Sequence, residues 1–195
     1  MGRNIVFLDF DGVMLADYNR SHAIPSSEFV GLKKKMAELH GNDAYLDIGN
    51  DDIAAVLYDW LPETVSNLRR IVESCDAGIV VSSSWRLYDD DESLEALLEL
   101  HGLGYAFVGA TRRSYENIRE PLILEWLDSH RSEVSNWVAI DDANLKGLGG
   151  HFVKTGTRLT ARQADKAIGI LSDVGKASCM EMDLDLKLAG DIRCA

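Results

Sequence analysis

The run Ile5-Val6-Phe7-Leu8-Asp9-Phe10-Asp11-Gly12-Val13 constrains this chain more than any other segment. From Ile5 to Leu8 every side chain is apolar, with no alternation of polar and apolar positions. Such a segment reads as a central strand of a parallel sheet, buried on both faces. It ends on two acids and a glycine, and open α/β sheets bind ligands beyond the carboxyl ends of their strands. Asp9 and Asp11 are two apart and point to the same side of an extended chain. Side by side, two carboxylates repel unless a cation, a shared proton or a basic partner intervenes. An ordinary strand closing in an Asp-Gly turn would look the same locally, so the context must decide.

That context lies in three later segments. Gly78-Ile79-Val80-Val81-Ser82-Ser83-Ser84-Trp85-Arg86 is a second apolar strand, ending in hydroxyls. Trp137-Val138-Ala139-Ile140-Asp141-Asp142 is another, and it again ends on paired acids. Between them Arg119 opens an amphipathic helix. Strands and helices alternate along the whole chain, as a doubly wound sheet requires. Strands are expected near Asn4–Asp9, Gly78–Ser82, Tyr105–Gly109, Trp137–Ile140 and His151–Thr155. Helices are expected over Pro62–Cys75, Asp91–His101 and Glu120–His130. A last helix, opened by the capping box Thr160-Ala161-Arg162-Gln163, runs to Leu171.

In this order the segments resemble the four motifs of the haloacid dehalogenase (HAD) superfamily of phosphohydrolases, from Asp9 to the helix near Ile168. Three features narrow the resemblance to small HAD domains related to those of Swiss army knife RNA-repair proteins. They are Ser82-Ser83-Ser84-Trp85-Arg86, Arg119 eight residues before Leu127, and Phe152-Val153-Lys154-Thr155 ahead of Leu159-Thr160. The Arg119 helix departs from the family pattern. Leu122-Ile123 replace an acid and an isoleucine, and Pro121 occupies the first turn, where proline is tolerated.

The resemblance implies a three-layer, Rossmann-like, mainly parallel five-stranded sheet, with the first and fourth strands adjacent at a switch-point crevice. It also implies roles. Asp9 is the nucleophile that becomes an aspartyl-phosphate, and Asp11 is general acid and then base. Ser82 is a hydroxyl donor to a phosphoryl oxygen, with Ser83 and Ser84 as substitutes. Arg119 is the cation that neutralises the phosphoryl group and keeps Asp9 ionised. Gly12, Ser83 and Arg86 are expected to meet substrate. Asp9, Asp11 (through its backbone carbonyl), Asp141 and Asp142 are expected around a metal, with Asp142 as ligand and Asp141 as orienter, or the reverse. An all-oxygen donor set without His or Cys favours a hard ion, Mg²⁺. The expected activity is a Mg²⁺-dependent phosphomonoesterase acting on small metabolites, phosphoprotein side chains or nucleic-acid ends. The alternative is a low-turnover binding or regulatory module, which would have no need of the second acid.

Composition sets the outer bounds. At 195 residues and 46% hydrophobic content the chain can bury one substantial core, and a single domain over residues 1–195 is expected. No apolar run reaches membrane-spanning length, and the N-terminal one is interrupted by Asp9 and Asp11, so a cytoplasmic protein is expected. A net charge of −12 disfavours loose binding along a nucleic-acid backbone, though not at an end gathered into a basic cleft. Cys75, Cys179 and Cys194 lack ligand spacing and read as reduced thiols. Residues 15–61 exceed what one crossover needs. They are expected to form a small helical cap, with helices near Glu28–His40 and Asp52–Trp60 split by Gly41-Asn42-Asp43, that chooses substrates. The segment Glu181-Met182-Asp183-Leu184-Asp185-Leu186 reads as an edge strand or an interaction tail.

Overall fold

In a computed structural model, which describes residues 2–15, 26–115 and 118–173, the apolar run forms β1, Arg3–Leu8. It is the middle strand of a five-stranded sheet. The others are β2 (Ala77–Val81), β3 (Phe107–Ala110), β4 (Val134–Asp141) and β5 (Phe152–Lys154). Their order is β3-β2-β1-β4-β5, and every pairing is parallel. The chain leaves β1 toward β2 on one side and returns to β4 on the other, which opens the crevice between β1 and β4.

Both faces of β1 are covered, which is why its sequence does not alternate. Val6 and Leu8 face one cluster with helices α4 (Pro62–Cys75), α5 (Asp91–Glu99) and α7 (Ala161–Ser172). Ile5 and Phe7 face the other, with α6 (Arg119–Ser129). Phe7 meets Trp126 and Trp137 edge-on, at ring separations of 5.4 and 5.9 Å, a geometry favoured by the ring quadrupoles. The helix limits follow local chemistry. Pro62 starts α4, and Asp76 (φ 46°) stops it in the left-handed region. The Asp90 carboxylate caps α5 by accepting from Ser93 N at 2.9 Å. Gln163 Oε1 accepts from Thr160 N at 2.8 Å in the expected capping box.

Among the described residues, the insertion after β1 carries α1 (Ser26–His40), which ends at Gly41, φ 63°. The helix expected at Asp52–Trp60 is α3 (Asn50–Ala54), which runs on directly into a π turn, Ala55–Asp59, and a short α2 (Ala44–Asp47) that was not expected precedes it. Gly49 interrupts any continuous helix before α3. Leu15 and Trp60 pair as an antiparallel bridge, so the two ends of the insertion are tied at its base. Tyr45 is fully buried and its hydroxyl donates to Ala96 O at 3.0 Å, docking the insertion onto α5. β4 starts earlier than its apolar content suggests, because the polar Asn136 is satisfied within it by donating to Ile170 O at 2.7 Å. Cys75 is half-buried and burial raises its pKa, the opposite of what a reactive thiol needs. Residues 16–25 of the insertion, Cys179, Cys194 and the Glu181–Leu186 stretch lie outside the described residues. Among the described residues no helix is long and apolar enough to cross a membrane.

Tyr45→Phe keeps the ring and removes only the donor to Ala96 O. Denaturant unfolding should show a loss of about 1 kcal/mol.

Candidate active site

Each strand hands over at its carboxyl end to a polar residue still tied to a neighbouring strand. Thr111 N donates to Val81 O (3.0 Å), Ser82 N to Leu8 O (2.9 Å), Asp9 N to Ile140 O (3.1 Å) and Thr155 N to Asp141 O (2.9 Å). The sheet therefore ends in a row, Thr111, Ser82, Asp9, Asp141, Thr155, one residue per strand. Asp9 sits at its centre, 0% exposed.

Arg119, the first residue of α6, reaches into this row. Its Nη1 donates to Asp9 Oδ2 and to Asp141 Oδ2. Pro121 in the first turn does not displace it. Burial by itself would lower the Arg119 pKa, but the two carboxylates outweigh it and raise it, so the guanidinium stays charged. One cation between two buried acids is not enough to keep both fully ionised. Burial, then the neighbouring Asp141, push the Asp9 carboxyl from 3.8 up to about 7, against the opposing pull of Arg119. Burial likewise raises Asp141, whose Oδ1 accepts from Ala143 N at 2.7 Å.

Asp142 lies beside this pair and is exposed. Oxygens of Asp9, Asp141 and Asp142 all fall within 4.8 Å of one another. Three carboxylates against one guanidinium leave an excess of about two negative charges, and the donors are all oxygens. That set fits a hard dication of the Mg²⁺ kind. Asp9 Oδ1 is buried and has no hydrogen-bond partner among the described residues, so the set contains an orphaned acceptor. The neighbouring turn is shaped to admit Asp142. Gly12 has φ 71°, and a Cβ there would lie 2.6 Å from the Asp142 carboxyl carbon. Thr155 Oγ1 donates to Gly12 O at 2.9 Å and fixes the turn.

The Asp11 carboxylate stands apart from the three-acid cluster and accepts from Trp85 Nε1 at 3.0 Å. Its expected place around the metal thus rests on its backbone alone. Ser82 and Ser83 are buried with unpartnered Oγ atoms. Ser83 lies close enough to Asp9 to favour its ionised form, though its geometry falls short of a hydrogen bond. Ser84 opens a short 3₁₀ turn, Ser84–Leu87.

Arg86, expected to meet substrate, is instead turned inward. It is 4% exposed and donates to the backbone oxygens of Ser82 (3.0 Å), Ser83 (2.5 Å) and Arg112 (3.3 Å). It braces the serine turn from behind. Arg112 pairs with Glu125 at 2.9 Å, and Arg113 donates to Asp89 O at 3.0 Å. Reasoning from sequence missed Thr111, Thr155 and the contact of Trp85. A hydroxyl residue directly after each of two short strands was the available signal for the threonines. Thr111, 2% exposed, also has an unpartnered Oγ1.

The open parallel sheet flanked by helices, with acids at its switch point, is an α/β, Rossmann-like fold of the kind a HAD-superfamily domain has. The chain belongs to the family described as HAD domain in Swiss Army Knife RNA repair proteins, whose model matches residues 5–164. Comparison with curated proteins and with solved structures gave no match.

Two outcomes follow from this geometry. In the folded state Asp9 holds its proton more tightly than in the unfolded chain. Its contribution to stability is therefore full below pH 3.8 and is lost as pH rises through about 7. With EDTA present, unfolding stability should fall across that window, and Asp9→Asn should flatten the slope. Gly12→Ala adds strain of about 1–2 kcal/mol at the positive φ and displaces Asp142. The rise in Tm caused by Mg²⁺ should shrink in that variant.

Proposed function

We propose that this chain is a Mg²⁺-dependent phosphomonoesterase that works through an aspartyl-phosphate on Asp9. The reading rests on one observation above all. Asp9 is buried at the switch point with Oδ2 held by Arg119 and Oδ1 free to react, beside two further acids.

Ionised Asp9 attacks phosphorus in line with the leaving oxygen. As the Asp9 O–P bond forms, the P–O bond to the leaving group breaks, and protonated Asp11 gives its proton to the departing oxygen. The Ser82 and Ser83 hydroxyls, buried and without other partners, receive the phosphoryl oxygens as charge builds on them. Arg119 holds Asp9 in position throughout. Water then attacks the phosphorus and Asp11, now a carboxylate, takes its proton; phosphate departs and Asp9 is restored. When bound, Mg²⁺ would supply a Lewis-acid contact to a phosphoryl oxygen and offset the charge of Asp9, Asp141 and Asp142. Asp142 is the better direct ligand of the last two, because both Asp141 oxygens already accept hydrogen bonds from Arg119 and Ala143.

The insertion at residues 15–61, whose ends Leu15 and Trp60 are bridged just beyond the Asp11 turn, governs which monoester enters. The substrate is a compact phosphate ester, whether a free metabolite, a phosphorylated side chain or a nucleic-acid terminus. The acidic surface argues against binding along an extended nucleic acid.

The purified protein should release phosphate from p-nitrophenyl phosphate with Mg²⁺ and cease to do so with EDTA. Asp9→Asn should lower kcat roughly a thousandfold or more. Turnover that ignores both changes would overturn the reading, and no turnover on a panel of monoesters would point to a binding module.

A further inference from the structure

We propose that Trp85 is a positioning residue for this reaction, its indole N–H aiming the Asp11 carboxyl at the leaving-group oxygen. The inference rests on the phosphatase reading above and adds a residue to it.

Two consecutive side chains of the Ser84–Leu87 turn divide the work. Arg86 folds back onto the Ser82 and Ser83 carbonyls. Trp85 points the other way and reaches across 74 residues of sequence to donate Nε1–H to Asp11 Oδ2 at 3.0 Å. A carboxyl group on a loop beyond its strand has two free torsions. A donor on one oxygen removes that freedom and turns the other oxygen toward the reacting centre. The contact is specific in sense. Indole nitrogen only donates, so the oxygen it holds must be the accepting one, and the proton for the leaving group must reside on the other.

The indole can aim Asp11 only if it is itself held, and packing does this. Trp85 is 4% exposed. It meets Phe10 edge-on at 5.2 Å and 89°, Phe10 meets Trp60 edge-on at 5.1 Å and 64°, and Trp60 stacks on His101 at 5.3 Å and 8°. Phe10 separates Asp9 from Asp11 in sequence, and Trp60 is the residue bridged to Leu15 at the base of the cap. A column of rings thus runs from the floor of the cap to the donor on Asp11. Close-packed interiors leave such rings little room to shift.

The test is Trp85→Phe, which keeps a ring against Phe10 and deletes the N–H. With kcat/KM as readout, which reports the step that phosphorylates Asp9, two esters are compared. p-Nitrophenyl phosphate leaves as a stabilised anion and needs little proton donation; benzyl phosphate leaves as an alkoxide and needs it fully. The variant should lose about ten- to a hundredfold on benzyl phosphate, the range of a hydrogen bond to a charged group, and much less on p-nitrophenyl phosphate. In an Asp11→Ala background Trp85→Phe should cause no further discrimination between them. Independently of turnover, the indole N–H resonance that disappears in Trp85→Phe should move upfield in Asp11→Ala, while the other three indoles stay in place. Equal losses on both esters, or a Trp85 resonance indifferent to Asp11→Ala, would overturn the positioning role while leaving the phosphatase reading intact. Turnover insensitive to Asp9→Asn would instead sink that reading, and this role with it.

Discussion

One guanidinium shared between two buried carboxylates sets the character of this molecule. Arg119 bridges Asp9 and Asp141 across the crevice between β1 and β4. Without it, two acids at the end of adjacent, fully covered strands would have to be neutral or solvated. With it, they can be buried, but charge balance remains incomplete once Asp142 is counted. A buried ion pair of this kind is a weak source of stability. Its value lies in holding the Asp9 carboxyl in one orientation and leaving a net negative site whose charge a dication would offset.

The sheet makes this possible. Parallel strands covered on both faces put their polar residues only at the ends, and five of them deliver five polar residues in register along one edge. Three of those residues, and Ser83 beside them, carry buried atoms with no hydrogen-bond partner among the described residues: Asp9 Oδ1, Ser82 Oγ, Thr111 Oγ1 and Ser83 Oγ. Unsatisfied buried polar atoms are rare, and each carries a cost of desolvation. Their gathering at one edge supports the proposed site for a phosphoryl group and a cation. The glycine turn that follows, the Arg86 brace and the Trp85 contact are the means by which loops with few internal bonds are kept at fixed distances from that edge.

Much of this could be read in the residues before any fold was known. Uninterrupted apolar runs ending in Asp or Ser identify strands and their functional ends together, because burial on both faces and exit at the ligand edge leave their mark on the same few positions. The gathering of Asp9, Asp141, Asp142 and Arg119 was legible for that reason. What the sequence hid was direction. Nothing in Trp85-Arg86 says that the arginine folds back on its own turn and the tryptophan reaches the second acid; that depends on contacts between loops far apart in the chain. Asp11 was legible as an acid but not as one held outside the carboxylate cluster. In the cap the helix toward Trp60 was legible, but its change to a π turn at Ala55–Asp59 and the short α2 before Gly49 were not, because four residues carry too little periodicity to be read. Asn136 fell outside the strand expected at Trp137–Ile140 because its side-chain partner, the Ile170 carbonyl, lies on a helix far along the sequence.

The most direct measurement is chemical trapping of the covalent intermediate. The protein is mixed with p-nitrophenyl phosphate and Mg²⁺, quenched within the first turnover and reduced with borohydride, which converts an acyl-phosphate on aspartate to homoserine. Peptide mass spectrometry should find homoserine at position 9 and nowhere else, only when substrate and metal are both present. Released phosphate with an unaltered Asp9, or with the modification on another carboxylate, would contradict the central role given to this residue.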